Sequence, residues 1–137
     1  LKYEHSNKSN IKLNEMIFDF LDLKSEPNEK FYLDFISVPE TKIKNAVSSF
    51  LFADKKEMVF LLCDQTVFGS CKEGFAITER GIYWKAHFNR SQRVYFENLQ
   101  DIKRQGDWLS INDRYFHINP DFNIRMMKLL KKLKTIF

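Results

Sequence analysis

The sequence predicts an α+β domain that is mainly β, with about seven short antiparallel strands in a curved barrel, a C-terminal amphipathic helix and an N-terminal helical extension. Short apolar segments separated by turn residues follow one another between residues 58 and 118. Apolar residues between 122 and 137 recur instead at helical spacing. The chain has 137 residues, of which 14 are Phe, so it can build one core without disulfide staples.

The first part of the chain predicts two helices around one short strand. Residues 1–10 are polar and are expected to be a frayed start or a linker. Apolar residues recur every three or four positions over residues 11–24, which indicates an amphipathic helix that the Ser-Glu-Pro-Asn sequence at 25–28 stops. Alternation over Phe31–Ile36 predicts a strand, and helical spacing returns over Glu40–Phe52.

The central part of the chain predicts strands joined by turns. We expect the strands at 58–63, 75–78, 82–85, 93–96, 101–103, 108–111 and 114–118. Gly81 is expected to adopt a left-handed conformation that closes a tight hairpin. Asn112 and Asp113 tolerate the positive φ of a two-residue loop and predict a second hairpin. The longest apolar run, residues 58–63, is far too short to span a membrane.

The last helix has the clearest boundaries. Asn119 is a favourable N-cap, and Pro120 is tolerated at the first helical position. The apolar stripe comprises Phe122, Met126, Leu129, Leu130, Leu133 and Phe137. Arg125, Lys128 and Lys132 form a basic face opposite this stripe, and they account for much of the net charge of +4.

Polar residues crowd one loop, where Asp64, Thr66, Ser70 and Lys72 occur within nine positions. No Gly-x-Ser-x-Gly elbow or neighbouring His activates a hydroxyl there, so catalysis is disfavoured. We expect turn chemistry instead, in which Asp64 and Thr66 bond nearby backbone amides and Gly69 supplies an unusual backbone angle.

The same sequence offers little for a metal or cofactor. His5, His87 and His117 are isolated, so neither a metal site nor a cofactor is expected. Cys63 and Cys71 match no redox or zinc spacing and are expected to be buried thiols. This usage suits a cytoplasmic chain.

One stretch carries a family resemblance. The run from Asp64 to Gly74 reads Asp-Gln-Thr-Val-Phe-Gly-Ser-Cys-Lys-Glu-Gly, and an Ile-Thr-Glu-Arg-Gly-Ile-Tyr-Trp hairpin follows at 77–84. This resembles bacterial pleckstrin homology (PH)-like domains, in which a D-D-T-x-F-G-S-x-K-x-G segment precedes such a hairpin. Gln65 replaces the second Asp of that pattern. The resemblance covers about residues 38–137, which leaves residues 1–37 as an N-terminal helical extension or linker.

The resemblance implies a non-enzymatic interaction module that recognises a protein or peptide partner. In many PH-like folds a peptide adds as a strand in the groove between the C-terminal helix and a neighbouring strand. The alternative is peripheral attachment to anionic lipid head groups, although the phosphoinositide-binding pattern of lipid-binding PH domains is not satisfied here.

The candidate anion patch for that alternative consists of Lys72, Lys85, Arg90 and Arg93. Rings and cations also interleave around Tyr83 as they do in single-strand binders. Nucleic-acid binding is disfavoured, however, because most rings are needed in the core, and only one side of this strand is expected to face it, with Tyr83 pointing away. A hydrolase is disfavoured as well.

Overall fold

The computed structural model describes residues 2–25, 30–33 and 37–137, with side chains from Lys12 onward except Ser25. These residues include three α-helices, α1 (Lys2–Leu21), α2 (Glu40–Ser49) and α3 (Pro120–Ile136). The same residues form eight strands: β1 (Lys30–Tyr32), β2 (Val59–Asp64), β3 (Gly74–Thr78), β4 (Gly81–Lys85), β5 (Gln92–Tyr95), β6 (Ile102–Gln105), β7 (Trp108–Ile111) and β8 (Arg114–Phe116).

The strands form two antiparallel meanders. β1 to β5 make a five-stranded sheet in chain order, and β6 to β8 make a three-stranded sheet. A single 3₁₀ turn, Phe96–Asn98, follows β5 and leads the chain out of the first sheet. No ladder joins the two sheets within the described residues. The α+β class and the C-terminal helix are therefore confirmed, but the strands form two sheets rather than one closed barrel.

The main core lies between the two sheets, α1 and α3. Four rings meet there, those of Phe31, Phe75, Phe116 and Phe122. The Phe75 ring centroid lies 5.5 Å from that of Phe116, edge to face, and 5.7 Å from that of Phe122. Such aromatic pairs add about 0.5–1.5 kcal/mol each beyond the burial of their area.

A second core covers the opposite face of the five-stranded sheet. Ala46, Phe50 and Leu51 pack from α2 and the segment after it onto β2, β3 and β4. These three strands are consequently buried on both faces. Tyr83 is fully buried rather than pointing away from the core, and its hydroxyl donates to Glu57 Oε2 at 2.6 Å. The expectation that only one side of this strand faces a core was wrong because α2 supplies the second.

The N-terminal helix is longer than the sequence predicts. α1 begins at Lys2, because neither Pro nor Gly interrupts helical backbone in the polar residues 2–10. Leu13, Ile17 and Leu21 are buried in the main core. The helix ends at Leu21, before a residue of positive φ, Asp22 at 46°.

The bounds of α2 and β1 differ from the predicted ones. α2 ends at Ser49 rather than Phe52, since the chain leaves the helix to bury Phe50 and Leu51, whose amides both bond to Ala46 O. β1 is a short strand on the edge beside β2. Positions 34–36 of the predicted strand and 26–28 of the predicted stop lie outside the described residues.

Two hairpins depend on their turn residues for different reasons. Asn112 and Asp113 have φ of 50° and 64°, which confirms the two-residue loop between β7 and β8. Gly81 does not take a left-handed conformation. An added Cβ there would lie 2.5 Å from Val94 O, so glycine is needed for the close approach of β4 to β5.

α3 begins as predicted. Asn119 Oδ1 accepts a hydrogen bond from Phe122 N at 2.9 Å, and Pro120 is the first helical residue. The predicted apolar stripe is buried apart from Phe137, which is half exposed and whose ring lies 5.3 Å from that of Phe96.

Candidate binding surfaces

The loop between β2 and β3 (residues 65–73) starts at a buried carboxylate. Asp64 Oδ1 accepts from Thr66 N at 2.9 Å and from Thr66 Oγ1 at 2.6 Å, while Oδ2 accepts from Lys42 Nζ at 3.0 Å. Lys42 also donates to the Tyr32 hydroxyl at 2.8 Å. We call these four residues the Asp64 network. It joins β1, α2 and β2, and it confirms that Asp64 organises this turn.

The electrostatics of the network follow from these bonds. Burial alone would raise the pKa of Asp64, but the bonds from Thr66 and Lys42 outweigh it, so the pKa lies below its usual value. The bond to Tyr32 is the largest cause of the raised pKa of Lys42, and the adjacent Asp64 carboxylate adds to it. Both groups are therefore held in their charged forms.

Thr66 and Gly69 also shape this loop. Thr66 Oγ1 accepts from Cys71 N at 3.3 Å, and Gly69 has φ of +76°. Burial, with a smaller contribution from Asp64, raises the pKa of the Cys71 thiol to about 12. In the described part of the chain the Ser70 hydroxyl has no base within hydrogen-bond distance. The geometry is that of a braced turn, in which Asp64 and Thr66 accept hydrogen bonds from backbone amides.

The tips of two loops lie at one end of the five-stranded sheet and expose apolar side chains. Val67 and Phe68 are 88% and 97% exposed, and Phe88, in the loop between β4 and β5 (residues 86–91), is 92% exposed. His87 Nδ1 lies 2.9 Å from Glu73 Oε1 and so connects the two loops. We call residues 66–70 and 86–90 the loop end. Neither tip was predicted from sequence, although an apolar Val-Phe pair inside a predicted turn could have indicated one.

The predicted anion patch divides between two places. Lys72 and Arg90 are exposed beside the loop end, and Lys85 is half-buried at the end of β4, paired with Gly74. Arg93 lies farther along β5, on the face that α2 covers, with its guanidinium 4.7 Å from the centre of the Tyr95 ring. The structure thus places three of the four cations at one end of the sheet.

The predicted basic face of α3 also divides. Lys128 and Lys132 are exposed. Arg125 is half-buried, and its Nε donates to Leu21 O at 2.7 Å, at the C-terminal end of α1. The last carbonyls of a helix lack intrahelical donors, so Arg125 has a structural role between α1 and α3.

The outer edge of β6 leaves backbone groups unpaired. Asn112 N donates to Asp101 O at 2.7 Å, so these residues form a hydrogen-bonded pair of the β6–β7 ladder. Because such pairs alternate in an antiparallel ladder, Lys103 and Gln105 bond to β7, whereas the N–H and C=O of Arg104 point away from it. No other strand pairs with this edge within the described residues. We call this outer side of Ile102–Gln105 the β6 edge.

The surroundings of the β6 edge are basic. The C-terminal half of α3 contacts β6, and a groove of about 440 Å³ lies between this helix and the start of the strand. The groove is lined by Gln100, Asp101, Ile102, Lys131, Lys134 and Thr135. Lys103 pairs with Asp101 at 3.1 Å, whereas Arg104 and Lys131 are exposed and have no carboxylate within 4 Å in the described chain.

Comparison with known proteins adds no family to these observations. No protein-family profile, curated protein or solved structure matches the chain. No helix of the described residues is both long and apolar enough to cross a membrane. Within the same residues, no three metal-ligating side chains come together.

Proposed function

We propose that the chain is a non-enzymatic PH-like interaction module, which binds a protein partner through an acidic extended segment added as a strand to the β6 edge. The order of elements supports the PH-like assignment. β2 to β5 are four antiparallel strands in sequence, β6 to β8 are three more, and α3 follows them. The resemblance of residues 38–137 implies this order, to which β1 adds one strand.

The β6 edge is the observation that carries the proposal. An unpaired strand edge is a template for another chain, and proteins usually protect such an edge. Here the outward backbone groups of Arg104 remain available, and α3 supplies one wall of a groove at the start of the same strand, where Ile102 lines it. Strand addition uses these backbone groups for affinity and the neighbouring side chains for selectivity.

The charge around the edge specifies the partner. Arg104 and Lys131 lack acidic partners in the described chain, and Lys134 is also exposed in the groove. A segment that alternates acidic and apolar residues could place carboxylates near these cations. Each backbone hydrogen bond adds about 0.5–1.5 kcal/mol, and bonds to charged groups add about 1.5–3 kcal/mol.

Selection from a display library of random short peptides, with the whole chain as the target, tests the proposal. We expect the enriched peptides to be acidic and to bind less tightly as salt concentration rises. Arg104→Pro removes the outward N–H and should weaken the best peptide by about tenfold, whereas Arg104→Lys, which keeps both the N–H and the charge, should bind within about threefold of the wild type. Equal binding by folded Arg104→Pro would contradict strand addition.

A second candidate function, attachment to anionic membranes, is favoured by the loop end. Val67, Phe68 and Phe88 project from convex turns, and Lys72 and Arg90 lie beside them. Full burial of an apolar side chain of this size contributes about 1.5–3 kcal/mol, and each cation near an anionic surface contributes about 1 kcal/mol. Together these contributions could hold the loop end in a bilayer interface.

Vesicle co-sedimentation discriminates the two candidates. If the loop end binds membranes, the chain should pellet with phosphatidylcholine vesicles that contain phosphatidylserine, and added salt should release it. Phe68→Ser should abolish pelleting and leave peptide binding unchanged. A chain that stays in the supernatant at low salt would eliminate the membrane candidate alone.

A further inference from the structure

A third surface lies where β5, the start of β8 and the segment after α2 meet. It is a groove of about 240 Å³ lined by Phe50, Phe52, Ser91, Gln92, Arg93 and Arg114. We call it the arginine groove. It shares no lining residue with the β6 edge or the loop end, and Ser91 directly follows the last residue of the loop end. Phe52 is half exposed, so one aromatic side chain and two arginines line the groove.

The two guanidinium groups lack acidic partners. No carboxylate lies within 4 Å of Arg93 or Arg114 in the described chain. Arg80 provides the contrast, because Arg80 and Arg93 both contact the Tyr95 ring, at 4.6 and 4.7 Å from its centre. Arg80 also pairs with Asp54 at 3.0 Å, so its charge is already balanced.

The groove is also preorganised. The Tyr95 ring restricts the guanidinium of Arg93. Arg114 Nη1 donates to the backbone oxygen of Arg93 at 2.9 Å, which holds the Arg114 guanidinium against the backbone of β5 at Arg93. A guanidinium has about five N–H donors, so most of those on Arg114 remain free for a ligand. Planar donors of this kind match the two oxygens of a carboxylate or phosphate.

From these contacts we propose that the arginine groove binds a small ligand in which a carboxylate or phosphate group is attached to an aromatic or flat apolar body. Arg93 and Arg114 hold the anionic group, and Phe52 contacts the apolar body. The proposal does not depend on peptide binding at the β6 edge.

Amide-detected NMR titrations with phenyl phosphate, benzoate and inorganic phosphate test the site. We expect saturable shifts at Ser91 and Gln92 with phenyl phosphate or benzoate, and the tighter of the two identifies the anionic group. Inorganic phosphate should bind at least about fivefold more weakly than the preferred probe because it lacks the ring. Equal binding of inorganic phosphate, or no saturable shift with either aromatic probe, would overturn the proposal.

Four variants locate the binding site. Arg93→Gln and Arg114→Gln should each weaken the preferred probe by about tenfold, because each removes a charged donor. Lys128→Gln removes one exposed charge from α3 and should leave the affinity unchanged. If a Gln variant fails to fold, Arg93→Lys keeps the charge without the planar fork and should still weaken binding severalfold. Full affinity in Arg93→Gln, or an equal loss in Lys128→Gln, would refute the assignment.

Discussion

The β6 edge and the loop end expose different chemistry. The β6 edge presents backbone N–H and C=O groups in a row, beside cations and a helix. The loop end presents three apolar side chains on two exposed turns. The Asp64 network braces the turn that carries Val67 and Phe68, and the contact between His87 and Glu73 connects the turn that carries Phe88 to it. Backbone groups at fixed spacing recognise another polypeptide, whereas convex apolar tips are suited to a surface without defined spacing. The two regions therefore suggest different partners, and each can be altered without the other.

A side chain at Gly74, where the β2–β3 loop enters β3, should have the largest effect on stability. Gly74 begins β3 directly after the loop, with φ of +149°, and an added Cβ would overlap the carbonyl oxygen of Cys63. We expect Gly74→Ala to destabilise the chain by about 3 kcal/mol or more. Gly106, in the β6–β7 turn, has φ of +62° and open space around it, so Gly106→Ala should cost only about 1 kcal/mol. Urea unfolding measures both, and equal losses would contradict the steric argument.

Removing the ion pair of the Asp64 network should have the second-largest effect on stability. Lys42→Met leaves the Asp64 carboxylate buried without its cation, for which we expect a loss of about 3 kcal/mol. Lys44→Met is the matched control, since Lys44 pairs with Glu40 at 3.8 Å on the exposed side of the same helix and should change stability by less than about 0.5 kcal/mol. If the two variants unfold at the same urea concentration, the network does not brace the loop.

The same network predicts a dependence of stability on pH. The pKa of Asp64 is lower in the folded chain than in the unfolded one, so the unfolded chain binds more protons in the range between the two values. The contribution is complete above the ordinary Asp value of 3.8 and is lost as the pH falls below it toward the folded pKa. In urea titrations at several pH values, the stability difference between wild type and Asp64→Asn should shrink in this acidic range. A difference that is constant with pH would argue against an ionised Asp64.

Substitutions at the exposed tips of the loop end should have the smallest effect on stability. Phe68 is 97% exposed, so Phe68→Ser should change the free energy of unfolding by less than about 0.5 kcal/mol. Phe75→Ser, in the main core, should cost at least about 3 kcal/mol. A large destabilisation by Phe68→Ser would show that the tip packs against the protein and is not available to a partner.

Local patterns predicted the parts of this fold that local chemistry determines. The cap at Asn119, the Asn112-Asp113 loop and the bonds of Asp64 to its own turn all depend on residues close in sequence. The second core did not follow from alternation, because whether Tyr83 is buried depends on α2, a distant segment. Phe68 and Phe75 are the same residue type seven positions apart, and only the tertiary fold separates an exposed tip from a core ring.

The candidate surfaces were predictable to different degrees. Lys72 and Arg90 were identified from charge and lie at one end of the sheet, but Arg93 could not be separated from them without knowing the face of β5 on which it lies. The β6 edge depends on which strands fail to pair. Because pairing is non-local, the sequence indicated a groove beside the helix only through the family resemblance.

Hydrogen exchange at Arg104 tests the central proposal most directly. In the free chain the amides of Lys103 and Gln105 are bonded to β7 and should exchange slowly, whereas that of Arg104 should exchange rapidly. Addition of the best acidic peptide from the library should slow the exchange of Arg104 and leave Phe68 and Phe88 unchanged. If the peptide binds while the Arg104 amide continues to exchange rapidly, the partner does not add as a strand to β6.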